Sequence, residues 1–122
     1  MSKHRSIHWV QESHSDRWRA RFDCPDADGQ IWEFVVEPRG GMLDALVAAG
    51  PEGFVAGTDT LPPGEGPWLW GLGCGDAAGA FRLGGCGAAA TEAEAKTVAE
   101  TLAAGLRQIA WAGLMPVEVS RN

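Results

Sequence analysis

"DRWRARFDCPDADGQIWEFVVE", residues 16–37, decides how this chain folds. Arginine stands at every second position, Arg17, Arg19 and Arg21, with Trp18, Ala20 and Phe22 between. After the turn cluster CPDADG the alternation resumes in IWEFVVEP, residues 31–38. A period of two is that of a β-strand, whose successive side chains point to opposite faces. Two such runs around a Pro/Asp/Gly cluster read as a hairpin. A five-residue loop, Pro25–Gly29, pairs Phe22 with Trp32 and Trp18 with Val36. The same register sets Arg21 opposite Glu33 and Arg17 opposite Glu37. Such cross-strand pairs contribute roughly 0.2–1 kcal/mol each. A two-residue Asp-Gly turn would instead set apolar against charged residues, which a half-buried sheet resists. The arginine face therefore reads first as a solvated sheet face neutralised by glutamates.

Working outward, residues 7–12 read as a short strand. GGMLDALVAAGP, residues 40–51, reads as a short helix. Its Met42, Leu43, Leu46 and Val47 share a face, Gly50 suits the C-terminal cap, and Pro51 forbids continuation. Residues 57–67, GTDTLPPGEGP, form a Pro/Gly-rich connector that is expected to be mobile. WLWGLGCGDAAGAFRLGGCG, residues 68–87, is a second hairpin turning at GDAAG. A five-residue loop there sets Phe81 across from Gly73 and Leu83 across from Gly71, large side chains over cross-strand glycines. Thr91 and Glu94 have the spacing of a capping box. Ala95, Val98, Ala99, Leu102, Leu106 and Ile109 follow at helical spacing, so residues 91–112 are predicted to be helical. Glu92 and Lys96 form a favourable i,i+4 pair.

These elements make an α+β domain covering 1–122. An antiparallel sheet of four to five strands, in two hairpins, packs against one long C-terminal helix in two layers. A chain of 122 residues can bury a core of its own. The three cysteines, Cys24, Cys74 and Cys86, are expected to be free thiols. The polar start MSKHRSIHWV does not read as a signal peptide, and no run approaches the ~20 apolar residues of a membrane span. A cytoplasmic location is the resulting expectation.

The net charge of −6 argues against a partner held mainly through phosphates, so any nucleic-acid role must come from a local patch. Arg17, Arg19 and Arg21 are the candidates for one. A three-stranded sheet with basic strands and a following helix resembles the arm-binding domains of phage integrases. TEAEAKTVAE, residues 91–100, is similar to the last helix of double-stranded RNA-binding domains. Each likeness covers fewer than half the residues and carries no specific motif, so neither assigns the chain. GLGCGDAAG resembles a phosphate-binding glycine loop only in letters, since its alternation is that of a strand and no helix follows. His4, His8 and His14 have no ligand-like context. No metal or other cofactor is expected.

Tryptophan carries the remaining signal. If the long helix covers the Phe81/Leu83 side of the second hairpin, Trp68, Trp70 and Arg82 stand on the opposite face. Trp111 lies about 220° around the helix from Val98 at 100° per residue, off the apolar stripe. Trp and Arg are enriched in binding hot spots. The expectation is a small non-enzymatic protein-binding module, of accessory, inhibitor or immunity type, from a bacterium or its phage. It would bind another protein or a second copy of itself through Trp68, Trp70, Arg82 and Trp111. The alternatives are a nucleic-acid-binding module using the arginine face, and a small enzyme or ligand carrier with a pocket near the Gly-rich hairpin.

Overall fold

The computed structural model describes residues 7–22, 31–55, 63–75 and 81–111; side chains are described for residues 7–21, 32–55, 63–75 and 81–105. Five strands, β1 (Val10–Gln11), β2 (Trp18–Phe22), β3 (Ile31–Pro38), β4 (Trp68–Gly75) and β5 (Phe81–Ala89), form one antiparallel sheet in the order β1-β2-β3-β4-β5. Helix α1 (Met42–Ala48) and a 3₁₀ turn (Gly50–Gly53) lie between β3 and β4, and helix α2 (Glu92–Trp111) follows β5. The class is α+β, as the alternation implied.

The first hairpin has the expected register. Trp18 pairs with Val36, Arg21 with Glu33 and Phe22 with Trp32. The loop Pro25–Gly29 itself lies outside the described residues. In the second hairpin the turn moves along by one residue, so Gly75 pairs with Phe81 and Gly73 with Leu83. A bulge between Leu72 and Gly73 then brings Leu72 opposite Gly85 and Trp70 opposite Gly87. Glycine at 87 is a packing requirement. A β-carbon there would come within 2.5 Å of the Trp70 indole nitrogen, so the ring lies flat across the bare backbone.

Pairing of β3 with β4 determines which face is which. Phe34 stands opposite Leu72 and Val36 opposite Trp70. Trp68, Trp70, Leu72 and Cys74 therefore join Trp18, Ala20, Trp32, Phe34 and Val36 on one broad apolar face. That face is the one α2 covers. Ala95 packs with Val36 and Ala89, while Ala99 and Ala103 pack with Ile7, Ala20 and Phe34. The expectation that α2 covers the Phe81/Leu83 side is corrected. A second correction follows: Leu102, placed in the core stripe by spacing, is 37% exposed, and the buried stripe is Ala95, Ala99, Ala103. The sheet supplies the bulk as tryptophan, so the helix meets it with its smallest side chains and approaches closely.

The Phe81/Leu83 side is covered by α1 instead. Leu43, Leu69, Leu83, Phe54 and Val35 are buried together there, with Met42, Leu46, Val47 and Phe81 partly buried around them. Leu43 and Leu83 fill the space above Gly71. Gly50, at φ +68°, terminates α1 as its position before Pro51 suggested. Thr91 Oγ1 accepts from the Glu94 N–H at 3.0 Å, and the Glu94 carboxylate accepts from the Ala90 N–H at 2.7 Å. The capping box thus closes one residue further back than its usual form. Lys96 and Glu92 are 3.0 Å apart, as expected of the i,i+4 pair. Of the connector, residues 57–62 lie outside the described residues. Residues 63–67 are tied to Arg39, whose Nε donates to the Gly66 carbonyl at 2.8 Å and whose Nη2 donates to that of Gly64.

Candidate protein-binding surface

On the α1 side of the sheet, β2 and the outer part of β3 carry no helix among the described residues. Alternation puts Arg17, Arg19 and Arg21 there from β2 and its approach, and Glu33 and Glu37 from β3. Glu12, at the end of β1, joins them. Its two carboxylate oxygens accept from Arg17 at 2.9 Å and from Arg19 at 2.8 Å. Arg17 also donates through Nε to Glu37 at 2.8 Å, and Arg19 donates to Glu33. Three cations face three anions. Among the described residues Arg21 makes no ion pair, and it is exposed.

Glu37 is the anchor of this group. It is 2% exposed, and its second oxygen accepts from the Leu43 N–H in the first turn of α1. A negative charge suits that end of a helix, where N–H groups lack internal partners. Gly41 makes the contact possible, since a β-carbon there would fall 2.6 Å from the Glu37 carboxylate. One buried carboxylate thus links β2, β3 and α1.

The electrostatics follow from these bonds. The hydrogen bond to Glu37 raises Arg17 above its ordinary pKa, against an opposing effect of burial. For Arg19 burial disfavours the charge most, but bonds to Glu12 and Glu33 together outweigh it, so its pKa is also raised. Arg19 also lies 5.9 Å from the centre of the Phe81 ring. These arginines stay charged, and they are already bonded. Beside them Val10 is 57% exposed. A shallow open cleft of about 220 Å³ adjoins Arg17, lined also by Ser15, Asp16, Glu37 and Arg39. Small-molecule sites are usually larger, ~300–1,000 Å³, and more enclosed.

The tryptophans are placed differently from their expected setting. Trp68 and Trp70 lie beneath α2, half-buried against Val36, Ala89 and Ala95, together with Trp9 and Trp18. Their face is therefore covered within the chain. Arg82 is exposed but pairs with Cys74, four residues along β4 from Trp70. At about 3.4 Å per residue that is ~14 Å, so the strand does not bring Arg82 to the tryptophans. The Trp111 side chain lies outside the described residues. What sequence reasoning missed is Lys96. Its ammonium stands 3.3 Å from the centre of the Trp18 ring and 5.8 Å from that of Trp9. One turn on, Glu100 accepts from the Trp9 indole N–H at 2.9 Å. The Trp18 indole N–H is buried without a partner among the described residues.

Cys74 is buried on the α2 side, and Cys86, a free thiol, is half-buried on the α1 side. Burial pushes the Cys86 thiol above its ordinary pKa, with Arg39 opposing. No described helix is long and apolar enough to cross a membrane. Among the described residues no three His, Cys, Asp or Glu side chains gather as a metal site would require. Comparison with protein-family models, with characterised proteins and with solved structures finds no match.

Proposed function

We propose that the protein is a small binding module whose target is another protein, docked on the face of β1, β2 and β3 that no described helix covers. The observation that carries this reading is the charge balance of that face. Arg17 and Arg19 are held by Glu12, Glu33 and Glu37, yet their side chains remain 25% and 34% exposed. A polyanion would have to compete with carboxylates already in place. A protein surface carrying both signs of charge would not. Arginines held rigid by carboxylates also lose less freedom on binding. Exposed Val10 supplies an apolar contact at the margin.

The test is capture of partners from cells of the source organism with the wild-type chain and with Arg21→Glu and Val10→Asp. Both positions are exposed, so the fold is retained. The expected result is a protein retained after nuclease treatment and lost with either variant. Capture that depends on nucleic acid, or that neither variant changes, overturns the reading.

A further inference from the structure

Residues 7–12 form an arm at one edge of the sheet, joined to β2 by the tight turn Ser13–Asp16. His14 in that turn has φ +61°, in the left-handed region where a β-carbon is costly. Every major contact of the arm reaches beyond the turn. Ile7, 7% exposed, packs with Ala20, Phe34, Ala99 and Ala103. Trp9 bonds Glu100 on α2. Val10 and Gln11 pair with Arg19 and Trp18, and Glu12 binds Arg17 and Arg19. Such an arm can make the same contacts to a second copy of the chain. Only the turn distinguishes the two arrangements. Opening it loses the bond from Gln11 to the Ser15 carbonyl, 3.0 Å long, and lets His14 return to extended backbone.

We propose that two copies exchange residues 7–12 reciprocally, so that Trp9 of each bonds Glu100 of the other. An edge element with a specific seat and a short hinge under strain meets the conditions that favour such an exchange. The assembly is closed and two-fold, and it re-uses a groove that is already shaped for its occupant. It does not depend on the partner surface proposed above.

The test uses two single variants, Val10→Cys and Arg19→Cys, unfolded together, refolded at high concentration and oxidised. Directly opposed antiparallel residues have Cα separations of ~4.5–5.5 Å, within the range a disulfide spans. A disulfide joining one variant to the other forms only if the arm of one chain lies on β2 of its partner. Each variant refolded with wild-type chain controls for the native cysteines. The expected result is a cross-linked pair well above those controls. Deleting Ser13–Ser15, which leaves the turn too short to fold back, is expected to give a dimer in sedimentation. His14→Gly is expected to lower the dimer fraction severalfold. No cross-linking above the controls overturns the proposal, as does a folded deletion variant that stays monomeric.

Discussion

Replacing Glu37 by alanine tests the buried link between the sheet and α1. The carboxylate receives the Arg17 Nε–H and the Leu43 N–H, and its side chain is 3% exposed. Its removal leaves a buried helix N–H without a partner and strips Arg17 of one of two anions. A hydrogen bond to a charged group contributes about 1.5–3 kcal/mol. Breaking a fully buried ion pair costs about 3–5 kcal/mol. Arg17 is 25% exposed and keeps Glu12, so the upper figure does not apply. The expected loss is about 2–3 kcal/mol, on the scale of those bonds. For 122 residues at about 2.1 cal/mol/K each, that lowers the melting midpoint by ~8–12 °C. Glu37→Gln keeps both acceptor and shape, loses only the charge, and is expected to fall between. Thermal melts at low and high salt read the effect, which salt should change little because the group is buried. A midpoint for Glu37→Ala within ~2 °C of wild type would show that α1 does not depend on this carboxylate.

Three further outcomes follow from the packing. Thr91→Ala should cost about 1 kcal/mol in denaturant unfolding through the lost bond to the Glu94 N–H, and an unchanged midpoint would mean Thr91 is not the cap. Gly87→Ala drives a methyl into the Trp70 indole and should cost about 1–3 kcal/mol; a neutral result would show that the ring does not lie across position 87. Because burial raises the Cys86 pKa, the unfolded chain gives up this proton first as pH rises. The Cys86 contribution is therefore intact below the ordinary thiol range and lost above it, and Cys86→Ser should flatten the alkaline fall in stability. Identical alkaline profiles for the two proteins would contradict this.

The first hairpin was legible because each of its residues carried a vote on register. Shifting β2 against β3 by one residue would set Arg21 and Arg17 against apolar partners in place of Glu33 and Glu37, so pattern and charge agreed on Trp18 opposite Val36. The second hairpin carried fewer votes. Gly71, Gly73, Gly75, Gly84, Gly85 and Gly87 have no side chain to set a register. The turn moved by one residue, and the bulge beyond Leu72 could not be read from a run of glycines. Helix α2 was legible in extent, from its cap and its period. It was not legible in rotation, because alanines appear on most of its faces and spacing favoured the larger Leu102 as core.

The tryptophans show why a face assigned within one hairpin does not transfer to the sheet. Alternation correctly separated Trp68, Trp70, Leu72 and Cys74 from Leu69, Gly71 and Gly73. Which of those sets joined the Trp32/Phe34/Val36 side depended on pairing between β3 and β4, which are thirty residues apart in the chain and share no turn. Once Phe34 lies against Leu72, the large aromatics of three strands fall together, and a 20-residue helix is the element long enough to cover them. The seven-residue α1 is left for the other side, where it covers β4, β5 and the adjoining part of β3. The half of that side beyond α1 is then a part of the sheet whose residues bring their own counter-charges. Arg17, Arg19, Glu12, Glu33 and Glu37 pair with one another there with no described helix above them, although Arg19 Nε is left buried without a partner among the described residues. The same alternation that fixed the hairpin thus also determines which of its sides carries the charged residues.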